Sequence, residues 1–380
     1  MELAERVRTM PRSKLGLALK VAQERKDVIS LGTGEPDFDP PKEVVEATYK
    51  CMKEGYTHYS SFMGRMELRK AIAEKMKKEN GINANAEDVI VTCGSKEAIL
   101  LLFSSLVGQG EEVIIPNPGY FGYLYIAKFL GINAVGVHAK QENNFEILAE
   151  DIEKQITKRT KLIVINSPTN PTGAVFSKKN LEEIADLARE KNIPVLSDEA
   201  YEKLVYEGKH YSMASFNGME DLVFTLQTFS KNYAMCGFRV GYATGPAEII
   251  KAMENLKVCT TISAPTPLQL AAIEAFKCND YVEKMRKEYD RRRKLVIKRL
   301  GEMGVRCARP MGAFYAFPDM SQLNMTSDKA SDYFLNEAKV FMTPGSEFGT
   351  HGEGHLRLSY ATAYEKLEDA MNRLEKALPK

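Results

Sequence analysis

The residues KLIVINSPTNPTG at Lys161–Gly173 decide the fold. An apolar run, Lys161–Asn166, stops at a turn rich in proline, asparagine and glycine, Ser167-Pro168-Thr169-Asn170-Pro171-Thr172-Gly173. A second run, PVLSDEAY at Pro194–Tyr201, ends in an acid, Asp198. A third, Leu222–Leu226, leads into Phe229-Ser230-Lys231. Short apolar runs without polar alternation are buried on both faces, as strands are in a parallel sheet covered by helices. Working outward, Asp88–Thr92, Glu112–Pro116, Asn133–His138 and Phe238–Thr244 read as four more strands. Helical patterns at Lys96–Leu106, Lys178–Lys191 and Ala247–Leu256 separate them. The expected class is α/β, with a mostly parallel sheet of seven strands.

Beyond about Asn279 the pattern changes. A long charged helix is expected at Tyr281–Glu302, followed by strands at Gly312–Pro318, Val340–Pro344 and His355–Tyr360. Helices fall near Lys329–Glu337 and from about Ala363. This is the texture of a smaller α+β domain. The expected division is a large domain over 41–279 and a small one combining 1–40 with 280–380. The charge run Asp290-Arg291-Arg292-Arg293-Lys294 reads as a solvated helix face.

Composition narrows the function classes. With 52 basic and 51 acidic side chains the formal charge is +1, so no global field draws a polyanion, and no nucleic-acid partner is expected. The longest nearly apolar stretch, Ala98–Gly108, is too short for a bilayer, and the amino terminus lacks a signal pattern. Six scattered cysteines without a C-x-x-C pair suit a reduced, cytoplasmic protein with no membrane partner. Gly32-Thr33-Gly34 lacks the third glycine of a dinucleotide fingerprint, and no P-loop is present. His351 and His355 are four apart, but the intervening glycines disfavour the helix a metal pair would need, so no metal ligands are named.

Ligands of open α/β sheets sit beyond the carboxyl ends of the strands. There the sequence puts Asn170, Asp198, Lys231 and Arg239, each just past a strand. Taken singly, the Asn170 turn does no more than end a strand, and Asp198 is as well explained as a helix cap. Together they suit a cofactor that is anionic at one end, basic at a ring nitrogen and electrophilic at an aldehyde, as pyridoxal phosphate is. A lysine amine forms a Schiff base with the aldehyde. A carboxylate keeps the ring nitrogen protonated, and an arginine fork matches the phosphate.

Asn170-Pro171-x-Gly173, Asp198-x-x-Tyr201 and Ser230-Lys231-x7-Arg239, in this order and spacing, resemble the class I/II aminotransferases, which are fold type I pyridoxal phosphate enzymes. The likeness runs from Gly34-Glu35-Pro36-Asp37-Phe38 to Arg357-x-Ser359-Tyr360-Ala361, and its texture is nearest to archaeal aromatic and aspartate aminotransferases. The resemblance implies pyridoxal 5'-phosphate as cofactor, with Lys231 as its covalent anchor and the acid–base group. It implies Asp198 at the ring nitrogen, and Asn170 and Tyr201 at the ring oxygen. Phosphate falls to Arg239, Ser230 and the segment Gly94-Ser95-Lys96. Because Gly94-Ser95-Lys96 opens a helix, backbone N–H groups there independently favour an anion. Tyr120 corresponds to the aromatic that stacks on the ring. Arg357 and Gly34 correspond to the groups that meet the substrate α-carboxylate, with Asn170 beside them. Tyr59 resembles the tyrosine that reaches the neighbouring subunit's phosphate, which implies a homodimer with a shared site.

Phe238 stands where family members commonly carry tryptophan, and Cys236 and Asn232 where hydroxyl residues are frequent. Cys236 is read as a packing residue. The expected reaction passes an amino group between an L-amino acid and a 2-oxo acid such as 2-oxoglutarate. A β-eliminating lyase, or a specialised aminotransferase acting on another carbonyl substrate, is the rival. Arg12 and Lys14 are candidate cations for a dicarboxylate side chain. Tyr120, Phe121, Tyr123 and Phe62 are candidate apolar walls for an aromatic one.

Overall fold

The computed structural model describes residues 2–11, 14, 16 and 24–379. Its strands in chain order are β1 Ile29–Ser30, β2 Val89–Thr92, β3 Glu112–Asn117, β4 Asn133–His138, β5 Thr160–Asn166 and β6 Val195–Asp198. They continue with β7 Val223–Thr228, β8 Gly241–Thr244, β9 Tyr315–Ala316, β10 Val340–Phe341, β11 Thr343–Pro344 and β12 Leu356–Ser359. Strands β2 to β8 form one sheet in the order β2-β8-β7-β6-β5-β3-β4. Only β8 runs against its neighbours, β2 and β7; the other pairings are parallel. The expected mostly parallel sheet of seven strands is therefore present.

Alternation explains the continuous apolar runs. Ile163, Ile165, Val195 and Val223 point into one core with Leu181 and Ile184 of the Lys178–Lys191 helix. Leu162, Val164, Leu196, Phe224 and Leu226 point into the other, with Ile99, Leu102 and Phe103 of the Ser95–Leu106 helix. Both faces are covered, so a polar residue on either would lose water without gaining a partner. Local signals set the helix ends: the Ser177 hydroxyl accepts from Asn180 N at 3.3 Å, and Asn192 closes the same helix at φ 51°.

A third core gathers Leu31, Tyr289, Val296, Phe314, Phe334, Met342, Leu358 and Met371. Ala200, Tyr201 and Leu204, from the segment after β6, belong to this core and not to the cores flanking the large sheet. Here the strands are shorter than expected. The Gly312–Pro318 run forms a strand only at Tyr315–Ala316, with a lone bridge from Gly312 to Val205, because Ala313 between them turns left-handed at φ 55°. Val340–Pro344 splits into β10, parallel to β1, and β11, antiparallel to β12. Phe238–Thr244 begins as a turn at Cys236–Phe238 with Arg239 at φ 55°, so the strand starts at Gly241.

The arginine run needs correction. Arg291 and Lys294 are exposed as expected, but Arg292 and Arg293 are 6% and 2% exposed, so these two anchor the Asn279–Glu302 helix and do not belong to a solvated face. Arg292 Nη1 reaches both Asp37 oxygens at 2.8 and 2.9 Å. Arg293 pairs with Glu207 and Asp290 and donates to Pro310 O. Period 3.6 had to place some of five consecutive charged residues inward, and acids on other segments meet them. No helix among the described residues is long and apolar enough to cross a membrane.

The Ser167–Gly173 turn meets this third core at Gly173. Its φ is +74°, and a Cβ there would lie 2.5 Å from Pro310 Cβ and 2.8 Å from Tyr315 O. Gly173→Ala is expected to lower stability by about 2 kcal/mol or more through backbone strain plus the clash. Gly208→Ala, at φ +78° with open space around it, carries strain alone and should cost about 1 kcal/mol. Equal urea midpoints for the two variants would contradict this.

Candidate active site

Strands β5, β6 and β7 end side by side, and a cavity of about 410 Å³ opens beyond them. Of the residues expected there, Gly34, Ser95, Lys96, Tyr120, Asn170, Asp198, Tyr201, Ser230, Lys231, Arg239 and Arg357 all line it. Gly94 lies under the rim, where an added Cβ would come within 2.3 Å of Arg239 Nη2. Tyr59 does not line the cavity of its own chain and is 81% exposed.

Asp198, the last residue of β6, is buried. Tyr123 OH donates to its Oδ2 at 2.5 Å, and Ala200 N donates to its Oδ1 at 3.2 Å. Burial pushes its carboxyl up to about 6 from the usual 3.8, against those two donors. Glu199 pushes in the same direction as burial, and Lys231 opposes it. Lys231 follows β7 on the short Phe229–Asn232 turn of helix, whose amino end is capped by Thr228 accepting from Ser230 N. Its Nζ donates to Gly34 O at 2.6 Å and approaches Cys236 Sγ at 3.6 Å. The cysteine read as packing thus borders the lysine amine.

Of the four cations lining the cavity, Lys96, Lys231 and Arg239 gather at the start of the Ser95–Leu106 helix. Burial lowers the Lys96 ammonium, and the Arg239 and Lys231 charges lower it further. Among the described residues Arg239 bonds only carbonyls, Cys236 O at 2.9 Å and Cys93 O at 3.4 Å. A Cβ on Gly241 would lie 2.7 Å from Ser95 N, so no side chain fits between β8 and the helix start. Cations, helical N–H groups and a floor of bare backbone make an anion cradle of the kind phosphates occupy.

Arg357, on β12, is 2% exposed. It donates to Asn170 Oδ1 at 3.1 Å and to Gly32 O at 2.7 Å, and lies over the Tyr315 ring. No carboxylate of the described residues pairs with it, and its Nε has no partner. A buried guanidinium left this way is costly until an anion meets it. Asn170 is held from behind, its backbone N donating to Asn166 Oδ1 at 2.9 Å. Tyr201 and Tyr315 share a hydroxyl contact of 2.9 Å, and burial pushes the Tyr201 hydroxyl well above the phenol range.

Sequence reasoning missed Asn166 and Tyr315, which also line the cavity. Asn166 was legible as the strand's last residue; Tyr315 was hidden in a run read only as a strand. Tyr123 is corrected from an apolar wall to the partner of Asp198, because the Phe121–Leu130 helix turns it inward beneath Tyr120. Phe121 does line the cavity, whereas Phe62 does not. Lys14 is tied to Asp328 at 2.5 Å, so its charge is already answered. Arg12 lies outside the described residues.

With the geometry in place, comparison is informative. The family profile of aminotransferase class I and II matches residues 26–374. An aspartate aminotransferase of Pyrococcus abyssi is 45% identical, covering 100% of this chain and 98% of its own. Aromatic-amino-acid aminotransferase 2 of Thermococcus litoralis is 43% identical with the same coverage. Among solved structures, an aromatic aminotransferase from Pyrococcus horikoshii superposes with a TM-score of 0.90 at 45% identity, over 95% of this chain and 98% of that one. The aspartate aminotransferase of Thermus thermophilus with maleate gives 0.95 at 39% identity, over 100% of both chains. The chain belongs to the class I and II aminotransferases.

Proposed function

We propose that this aminotransferase holds pyridoxal 5'-phosphate in the cavity and moves an amino group from an L-amino acid to a 2-oxo acid such as 2-oxoglutarate. The observation that carries the reading is one cavity containing a lysine, a buried carboxylate and a buried guanidinium without a carboxylate partner. The residues fit the cofactor: Ser95, Lys96, Ser230 and Arg239 for its phosphate, Asp198 for its ring nitrogen, Asn170 and Tyr201 for its ring oxygen, and Tyr120 for its face. When bound, the cofactor supplies an electrophilic carbon for the amine and a ring that accepts the electron pair left at the substrate α-carbon. Lys231 takes the α-proton and returns it. The Asp198 carboxylate, steadied by Tyr123, holds a proton on the ring nitrogen opposite. Arg357 grips the α-carboxylate, with Gly34 and Asn170 alongside, and its fork fixes the α-hydrogen's direction.

Substrate choice is read as aromatic or aspartate/glutamate. Relatives of both names stand at nearly equal identity, 45% and 43%. Tyr120 and Phe121 offer rings. The eliminating lyase gains no support from relatives named as aminotransferases. A homodimer is supported by Tyr59 standing 81% exposed, with Tyr49, Met52 and Met66 exposed on the same part of the chain. The division into 41–279 against 1–40 with 280–380 is supported by a third core drawn mostly from Leu31 and residues beyond 280, although Ala200, Tyr201 and Leu204 join it and Val282, Phe317 and Phe348 pack with the large sheet. Six free thiols suit the reducing cytoplasm.

The direct test feeds cofactor-loaded protein a panel of amino acids with and without 2-oxoglutarate. Glutamate formation is expected; ammonia release without any 2-oxo acid requirement would refute transamination. Arg357→Gln should cut kcat/KM for every donor by about 10²–10³-fold, the loss of a buried charge-assisted pair, with little change in cofactor affinity. A loss confined to one donor class would show that Arg357 reads the side chain instead.

Asp198 binds its proton more tightly folded, at about 6, than unfolded, at 3.8. Its contribution to stability is therefore full below 3.8 and is lost as pH rises through 6. In cofactor-free protein at pH 8, Asp198→Asn is expected to be more stable than wild type by about 2–3 kcal/mol, the difference vanishing near pH 4. Its transamination rate should fall by about 10²–10⁴-fold. Urea titrations at the two pH values check the sign.

A further inference from the structure

The turn after β6 divides its side chains. Asp198 and Tyr201 face the cavity, whereas Glu199 and Glu202 enter a polar cluster on the other side. Glu199 is 1% exposed. It accepts from Ser197 Oγ at 2.9 Å, Ser212 Oγ at 2.7 Å and Gln227 Nε2 at 3.2 Å, and meets His210 Nε2 at 3.0 Å. Glu202 pairs with Lys75, and also accepts from Asn80 Nδ2 at 2.7 Å and Gln227 Nε2 at 2.8 Å. Lys75 in turn donates to Asn80 Oδ1 and Gln227 Oε1.

The charges do not cancel unless His210 contributes. Lys75 answers Glu202, leaving Glu199 with neutral donors and one imidazole. Asp198, the adjacent residue, is a second buried carboxylate. Two buried like charges this close each oppose the other's ionisation. We propose that His210 is a positioning residue of the reaction: protonated, it offsets the Glu199 charge behind the Asp198–Tyr201 turn and so keeps Asp198 ionised toward the cavity. The inference rests on the role given to Asp198 above.

Every charged group around the imidazole bears on this. Glu199 and Glu202, from the turn, favour the imidazolium, while burial and Lys75, from the Met66–Lys75 helix, oppose it; the net direction is upward. Glu79, 3.9 Å from Lys75 and 2.8 Å from Lys203, lies on the rim. Gln227 of β7 and Ser212 add dipoles only. Glu199 meets the ring at Nε2, and His210 Nδ1 is buried with no partner among the described residues, so a proton on Nδ1 is favoured only through space, by the charges of Glu199 and Glu202. Glu199, Glu202 and His210 also bring ligand atoms within 4.8 Å of one another, a spacing that suits a metal. Lys75 already supplies a cation to that cluster, and the hydrogen-bond set above engages both carboxylates.

The test uses the cofactor-loaded enzyme and two readouts. Carbon-13 NMR of histidine Cε1 is practicable with five histidines, the His210 signal being the one lost in His210→Gln. It is expected to titrate above the usual 6.5, and the proposal requires the ring to be charged at pH 7. His210→Gln keeps a donor on Glu199 and removes the charge. It should shift the acid-side midpoint of the cofactor's near-ultraviolet to visible band, and that of kcat/KM, upward by about 0.5–1 pH unit. His210→Lys should return both toward wild type. A neutral His210 at pH 7 overturns the proposal. So does a His210→Gln titration that overlays wild type while Tm falls, the mark of a merely structural role. Wild-type protein that takes up no cofactor overturns the functional reading and this inference with it. A coloured wild type whose titration the variant leaves unmoved overturns this inference alone.

Discussion

Asn166 and Asp198 are partners in the β5–β6 register, and the cavity depends on that alignment. Asn166 Nδ2 donates to Asp198 O at 3.0 Å, and Ser167 N to the same oxygen at 3.2 Å. In a strand, neighbouring side chains point to opposite sides, so a slip of one residue exchanges them. Glu199 would then face the cavity and Asp198 the Gln227 cluster. The apolar alternation along β5 and β6 forbids that slip, because it would also turn every core residue to the wrong face. Ordinary hydrophobic packing thereby fixes which of two adjacent acids meets the ligand.

The cavity also concentrates unanswered charge. Among the described residues Arg357 has carbonyl partners and aromatic faces but no carboxylate, Arg239 bonds only carbonyls, and Lys96 stands among like charges. Elsewhere some buried cations meet acids, as Arg292 does with Asp37 and Lys75 with Glu202, while Lys257 and Arg69 donate to the carbonyls of Val91 and Ala86. What sets Arg357 and Arg239 apart is that they line the cavity, where an anionic ligand can reach them, and their desolvation is a cost to the ligand-free state.

Much of this was legible in the sequence because it follows from local rules. Strand ends carry turn residues or an acid, and Asn170, Asp198 and Lys231 could be placed from that alone. Tyr123 was misjudged because its role depends on the rotation of a helix that is apolar nearly all round, so periodicity gives no inward direction. Arg292 and Arg293 were misread because their acidic partners, Asp37 and Glu207, are far away in sequence. The splitting of Val340–Pro344 was illegible for a related reason: its first half is claimed by β1, at the far end of the chain, and only its second half by the next strand, β12. Tyr59 points away from its own chain's cavity, and only the family likeness marks it.

Gly32 O accepts from Arg357, and two residues on Gly34 O accepts from Lys231. A single extended ribbon of backbone therefore spaces the two cations, and β1 zipped to β10 keeps that ribbon taut. A shift of that ribbon would carry both acceptors with it, so the two cationic ends of the cavity answer to one stretch of main chain.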